Sequence, residues 1–131
     1  MKICITSTGK SLESPIDPRF GRCSYFLIVD SETLQFEAIQ NIAANAAGGA
    51  GIHATQIIAK KGVNLLLTRN VGPKAFRALS SACIKIYTGE SKTGLEFIEK
   101  FKKSELRLVN SPSVPVNKNI ESKNMRKIGG E

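Results

Sequence analysis

Two arginines three residues apart are the first groups in this sequence with an evident chemical use. They lie in Asp17-Pro18-Arg19-Phe20-Gly21-Arg22-Cys23, where a proline precedes the pair and a glycine separates it. Planar guanidinium forks suit carboxylates, phosphates and other diffuse anions. The same spacing would also serve a local purpose, with the arginines bonding loop carbonyls or Asp17 and holding the loop closed. A second segment, Asn45-Ala46-Ala47-Gly48-Gly49-Ala50-Gly51, is glycine-rich and leads into a helical pattern. Free N–H groups at a helix start attract anions, and glycines let a ligand approach the backbone. A tight turn with close helix–sheet packing would call for the same residues. Neither standard nucleotide signature is present: no Lys-Ser/Thr follows the glycines, and the Gly-x-Gly-x-x-Gly spacing is missing. Asn70-Val71-Gly72-Pro73 is a third loop that turns into a helix. His53 is the only histidine and falls near the edge of an apolar helical stripe, one turn in. Cys23 closes the arginine loop and offers a thiol whose pKa neighbouring cations would lower. Cys23 and His53 are therefore the candidate metal ligands. Cys4, inside a strand, and Cys83, at a helix end, read as core residues.

The elements that must position these groups follow from periodicity. Lys2–Ser7 and Tyr25–Val29 are apolar, β-branched runs that read as strands, the second ending at Asp30 with the look of burial on both faces. Asp30-Ser31-Glu32-Thr33 suits a turn into a third strand, Gln35–Gln40, as an antiparallel hairpin. From Gly48 the period changes: Ala50, Ala54, Ile57 and Ile58 share one helical face, and Gly62 stops the helix. Val63–Thr68 is the expected central strand. Pro73 opens a second helix where its missing N–H costs nothing, with Ala75, Phe76, Leu79 and Ala82 inward. Ile84–Thr88 reads as a strand, and about Thr93–Lys103 as a third helix that buries Leu95, Ile98 and Phe101.

The resulting order is βββαβαβα. Strand–helix–strand crossovers force parallel neighbours, whereas the opening meander is antiparallel, so the sheet is mixed. The expected architecture is an α/β, ribonuclease-H-like three-layer fold. Its five-stranded sheet has the order 3-2-1-4-5, with the second strand antiparallel and helices on both faces. Residues 1–103 form the expected domain, and residues 104–131, with Ser111-Pro112-Ser113-Val114-Pro115 and a Gly129-Gly130 ending, an extended or disordered tail. Ligands of open α/β sheets bind beyond the carboxyl ends of strands where the chain direction reverses. Here that crevice lies between the first and fourth strands. The expected binding set is Arg19, Phe20, Gly21, Arg22, Gly48, Gly49, Gly51 and Asn70, with Lys10, Arg69 and Lys74 on neighbouring loops.

Composition narrows the function. Among 131 residues, 19 Lys and Arg face 11 Asp and Glu, a formal charge of +8. That excess is not confined to the tail, because residues 1–103 carry 14 basic and 8 acidic groups. With 41% apolar and 23% charged residues, the chain as a whole is a folded domain. No apolar run approaches the roughly 20 residues of a membrane span, and no export signal is read at the start. The three widely spaced cysteines make neither a disulfide framework nor a four-cysteine zinc site. A cytoplasmic location is expected.

Two-metal nuclease chemistry needs clustered carboxylates. The first strand has none between Lys2 and Ser7, the fourth ends Thr68-Arg69-Asn70, and the first helix carries no acid. A hydrolase would depend on His53 as its only histidine base, and no nucleophile elbow is visible. Aromatics make up 6% of the chain and no nucleic-acid reading motif is present, so nucleic acid is not an expected partner. What remains is a non-enzymatic site for a compact anion.

At this point the residues resemble a known family. The loop Ser14-Pro15-Ile16-Asp17-Pro18-Arg19-Phe20-Gly21-Arg22 runs into Tyr25-Phe26-Leu27-Ile28-Val29-Asp30, and then come Gly48-Gly49-Ala50-Gly51-Ile52, Lys61-Gly62-Val63, Asn70-Val71-Gly72-Pro73 and Ala75-Phe76. In order and spacing these motifs resemble the dinitrogenase iron–molybdenum cofactor biosynthesis family, in particular its small stand-alone members akin to NifX and the NifB C-terminal domain. The resemblance spans about residues 1–103. It implies a ribonuclease-H-like domain without nuclease activity that binds or carries an iron–sulfur or molybdenum/iron–sulfur cluster and meets cofactor-assembly proteins. One departure stands out: nitrogenase-linked members commonly carry a histidine before the Phe-Gly pair, where this chain has Arg19. That weakens any link to nitrogenase itself. The other reading is a regulatory or interaction module that binds a partner protein or nucleic acid without a metal.

Overall fold

The computed structural model describes residues 1–113. Strand β1 (Lys2–Ser7) lies near the centre of the sheet, antiparallel to β2 (Tyr25–Asp30) and parallel to β4 (Leu65–Leu67). Strand β3 (Phe36–Gln40) pairs antiparallel with β2 and forms one edge. Helix α1 (Ala50–Lys60) leads into β4, and α2 (Pro73–Ser81) leads into β5 (Lys85–Thr88), which is parallel to β4. Helix α3 (Gly94–Lys102) follows, and then β6 (Arg107–Leu108). The strand order is β3-β2-β1-β4-β5-β6.

Side chains alternate across this sheet with period two, and the alternation sorts the core into two layers. Cys4, Phe26, Ile28, Leu66 and Ile86 pack with Ala54, Ile58, Ala75 and Leu79 of α1 and α2. Ile3, Ile5, Leu27, Val29, Leu65 and Leu67 pack with Phe97 and Ile98 of α3. Because both faces of β1, β2 and β4 are covered, their sequences read as unbroken apolar runs rather than alternating ones. Each fully buried Ile, Leu or Phe contributes about 1.5–3 kcal/mol relative to exposure.

Among the described residues, six strands, not five, make up the sheet. Arg107–Leu108 runs back antiparallel along β5, and the Val109 N–H donates to the Ile86 carbonyl at 2.8 Å. Farther on, Ser113 is bonded to Val71 in both directions: its N–H donates to the Val71 carbonyl at 2.8 Å, and its Oγ accepts from the Val71 N–H at 2.9 Å. The two-residue strand is too short to leave a periodic signal, which is why it reads as tail in the sequence. The remainder of the expected tail, residues 114–131, lies outside the described residues.

Each helix ends with its first residue past the C-cap in the left-handed region: Gly62 at φ 77°, Cys83 at φ 62° and Ser104 at φ 60°. Glycine adopts this at little cost, whereas Cys83 and Ser104 each give up about 1 kcal/mol or more. This corrects the expectation that Cys83 belongs to the core. The chain must reverse between α2 and β5 within a few residues, and the Cys83 side chain is left exposed.

Candidate functional site

The chain reverses direction between β1 and β4, and the loops that leave them meet at one end of the sheet. After β1 the chain is tied back to the strand end, with the Asp17 N–H donating to the Thr6 carbonyl at 3.0 Å. Buried Thr6 Oγ1 donates to the Asp17 carbonyl at 2.6 Å and lies 2.8 Å from Thr68 Oγ1 at the end of β4. Arg19 then pairs with Asn70 as a parallel bridge, and the Asn70 N–H donates to the Pro18 carbonyl at 2.9 Å. The arginine loop and the loop before α2 are thereby joined into one rim.

Missing side chains close the rest of the gap. A Cβ on Gly21 would lie 2.8 Å from the Gly51 backbone nitrogen, and one on Gly51 would lie 2.6 Å from Ala75 Cβ. The arginine loop therefore rests on the start of α1, and α1 packs tightly on α2. Gly49, in the left-handed region at φ 70°, is the N-cap of α1, and Gly72 is the N-cap of α2. Neither helix has a side-chain cap or an acid in its first turn. The unpaired N–H groups of both helix starts, and the positive ends of both dipoles, thus face one place.

That place is a pocket of about 600 Å³. Buried Phe20, together with Ala50, Ile52, Pro73 and Ala75, supplies apolar walls; Arg19, Arg22, Lys74 and Arg77 supply four cations, and among the described residues no acid lines it. Arg19 is held by Asp17, whose buried carboxylate accepts from its backbone N–H at 3.0 Å and from Nε and Nη2 at 3.2 Å each. This bond, reinforced by the carboxylate charge, raises the Arg19 pKa, while the arginine side chain stays 62% exposed. Arg22 Nη1 donates to the carbonyls of Ala44 and Ala46, both at 2.8 Å. The local role expected for the arginines and their place on the pocket rim are therefore both realised.

The profile of the family described as dinitrogenase iron-molybdenum cofactor matches residues 1–104. The chain belongs to this family. An uncharacterized protein of Methanocaldococcus jannaschii, MJ0580, is 34% identical over 94 residues, which cover 70% of this chain and 80% of that protein. The apo form of the orange protein from Desulfovibrio gigas is 37% identical, with a TM-score of 0.83 over 86% of this chain and 96% of its own. A Thermotoga protein, TM1290, described as a putative NifB protein, is 35% identical, with a TM-score of 0.77 over 86% of this chain and 97% of its own.

In this member of the iron-molybdenum cofactor family, the expected binding set divides. Arg19, Phe20, Gly21, Arg22, Gly49, Gly51 and Asn70 line the pocket; Gly48 does not, and stands in open space. The two expected metal ligands lie elsewhere. Cys23 is buried, its Sγ donates to the Phe20 carbonyl at 3.3 Å, and burial followed by the Asp17 charge pushes its thiol up to about 12. It is thus protonated at neutral pH, the opposite of the thiolate expected from nearby arginines, because depth outweighs cations whose heads point outward. His53 is exposed on α1 and does not line the pocket. Among the described residues, no three His, Cys, Asp or Glu side chains are grouped to hold a metal ion. Arg69 is drawn away to Glu90 at 3.5 Å.

Three contributors are not anticipated by the sequence. Arg77 stands one helical turn beyond the expected Lys74 at the start of α2, and the two bring paired cations to the rim; the signal was their helical spacing beside the Gly72-Pro73 cap. Ser113 reaches the pocket from the segment read as tail. Buried Asn41 holds the arginine loop from below, its Nδ2 donating to the carbonyls of Gly21 at 3.1 Å and Cys23 at 2.9 Å. Among the described residues, no helix is long and apolar enough to cross a membrane.

Proposed function

We propose that this family member is a cytoplasmic, non-enzymatic carrier that holds an anionic metal–sulfur cluster, or a related metallocofactor, as cargo. One observation carries the reading: two uncapped helix starts and four cations surround a single pocket that, among the described residues, no acid lines. Metal–sulfur clusters carry negative charge spread over soft sulfides. Apolar walls exclude water from such a surface, while guanidinium and backbone N–H groups hold its charge without bonding the metal. In this reading the cargo is bound by its outer surface, and neither Cys23 nor His53 serves as a ligand to it.

Further features support the reading. The family and the likeness to the orange protein in its apo form favour a cofactor-related role, and cofactor-assembly proteins are the natural donors and acceptors of the cargo. The order β3-β2-β1-β4-β5 suits a ribonuclease-H-like scaffold, and among the described residues the pocket has none of the carboxylates that nuclease chemistry on such a scaffold needs. The free thiols of Cys4, Cys23 and Cys83 suit a reducing compartment.

The test is anaerobic reconstitution of the full chain with iron, molybdate and sulfide, read by metal analysis and visible absorption after desalting. The wild type retains metal and sulfide in fixed proportion. Replacing Arg19→Ala and Arg22→Ala together lowers the affinity at least about tenfold, as expected for two charge-assisted contacts. Full retention by a folded double variant would overturn the assignment.

A further inference from the structure

Arg19 and Arg22 also form part of the wall of a second cavity, of about 460 Å³, on the side of β2 and β3. These two arginines are the only residues it shares with the pocket between α1 and α2. Its chemistry differs. The first pocket has apolar walls, whereas here every lining residue except Ala44 carries a polar side chain, and none is acidic. Thr8 and Asn41 are already committed, Thr8 Oγ1 to the Pro15 carbonyl and Asn41 to the arginine loop. Among the described residues, no side-chain hydrogen bond engages Ser24, Tyr25, Gln40 or Asn45. Lys10 adds a cation at the margin, its Nζ 5.8 Å from the centre of the Tyr25 ring. The loop that anchors Arg22 through the Ala44 and Ala46 carbonyls carries Asn45 between them, so arginine and amide are fixed relative to each other.

We propose that this cavity is a second anion site, built for a small hydrated oxyanion, a phosphoryl or carboxylate group. Such a group accepts several hydrogen bonds at once and keeps a polar shell. Guanidinium, amide and hydroxyl donors replace that shell better than apolar walls do. The proposal stands apart from the carrier reading, because its distinguishing residues do not touch the first pocket.

The experiment is a titration of the 15N-labelled full chain with inorganic phosphate and, separately, with citrate, at constant ionic strength. Saturable shifts of the Gln40 and Asn45 side-chain amides and of the Tyr25 backbone amide are expected. Gln40→Glu and Asn45→Asp each place a carboxylate in the cavity and weaken that binding about tenfold, the scale of one like charge a few ångströms away in a partly solvated site. The backbone amides of Gly49 and Gly72 report the first pocket in the same spectra, and an otherwise unchanged spectrum shows that each variant is folded. The tighter of the two ligands identifies the phosphoryl or the carboxylate. Absence of saturable shifts at Gln40 and Asn45 with both ligands overturns the proposal, as does unaltered affinity in both variants. Loss of cluster retention with these shifts intact would count against the carrier reading alone.

Discussion

The start of α3 is closed by its own residues, whereas the starts of α1 and α2 are left open toward the pocket. At α3, Thr93 Oγ1 accepts from the Glu96 N–H at 3.2 Å, and Glu96 Oε1 accepts from the Lys92 N–H at 2.8 Å. The Leu95 N–H finds the Leu12 carbonyl at 2.9 Å. Three backbone donors are thereby satisfied, and the Glu96 charge sits at the positive end of the dipole. At α1 and α2 the N-caps are Gly49 and Gly72, with no side chain to offer and no acid in either first turn. The start of α3 spends its donors within the fold, whereas the starts of α1 and α2 keep theirs for the ligand that the proposed function places between them.

The glycines of the two regions give the largest test of this contrast. Gly21→Ala drives a Cβ to 2.8 Å from the Gly51 nitrogen, a backbone atom that yields only if α1 moves. About 2 kcal/mol of stability should be lost in urea unfolding. Gly94 of α3 is buried too, but a Cβ there meets the Leu12 carbonyl at 3.3 Å and Leu27 Cδ1 at 3.5 Å. Gly94→Ala should cost under about 1 kcal/mol, since the neighbours need give only slightly and the helix gains propensity. Equal losses would mean that the approach of the arginine loop to α1 is not specially tight.

Caps can be exchanged between the regions. Gly72 has φ −75° and ψ 174°, the ordinary N-cap conformation, and open space where a side chain would stand. Gly72→Asp should therefore cap α2 and raise stability by about 0.5 kcal/mol, while its charge at the pocket mouth lowers cluster retention about tenfold. Opposite signs in the two measurements separate a ligand site from a poorly built helix. Thr93→Ala is the converse: about 1 kcal/mol of stability should go with its cap, with retention unchanged. Equal loss of retention in Thr93→Ala would dissolve the distinction between the two helix ends.

Much of this contrast is legible in the sequence, and the rest fails for definite reasons. Pro73 marks the start of α2, Gly62 the end of α1, and the unbroken runs in β1, β2 and β4 announce a sheet covered on both faces. The rim is legible because loops at a chain reversal must meet, and Arg19, Gly21 and Asn70 sit in those loops. The depth of Cys23 is not legible: it follows a loop and precedes a strand, and only the fold of 17–23 over the core buries it. Arg22 finds its carbonyl partners 22 and 24 residues away, which no local pattern encodes. Cys83 and Ser104 occupy left-handed positions where glycine is the usual signal, so neither helix end shows its customary residue. Ser113 contributes through its bonds to Val71, beyond the last strand that periodicity can detect.

The smallest expected effect concerns pH, and it too divides the helix starts. Donation from the Lys92 N–H holds the Glu96 carboxyl below its ordinary 4.5 against an opposing desolvation, and the Lys100 charge adds a smaller pull in the same direction. A pKa lower in the folded state means that the unfolded chain binds the proton more readily. The stabilisation is therefore complete above about 4.5 and fades as pH falls through the lower, folded value. Asp30, held low by the N–H groups of Glu32 and Thr33, acts with the same sign, so a variant is needed to isolate the helix. Glu96→Gln keeps the shape and an acceptor but cannot ionise. The stability gap between wild type and Glu96→Gln should be widest at pH 7 and narrow steadily as the pH falls below about 4.5. The first turn of α2 holds no group that titrates between pH 3 and 7, so its contribution stays level over that range. A gap of constant width would show that the capping carboxylate acts by its shape and not by its charge, and would leave the uncapped helix starts as the electrostatically distinct ones.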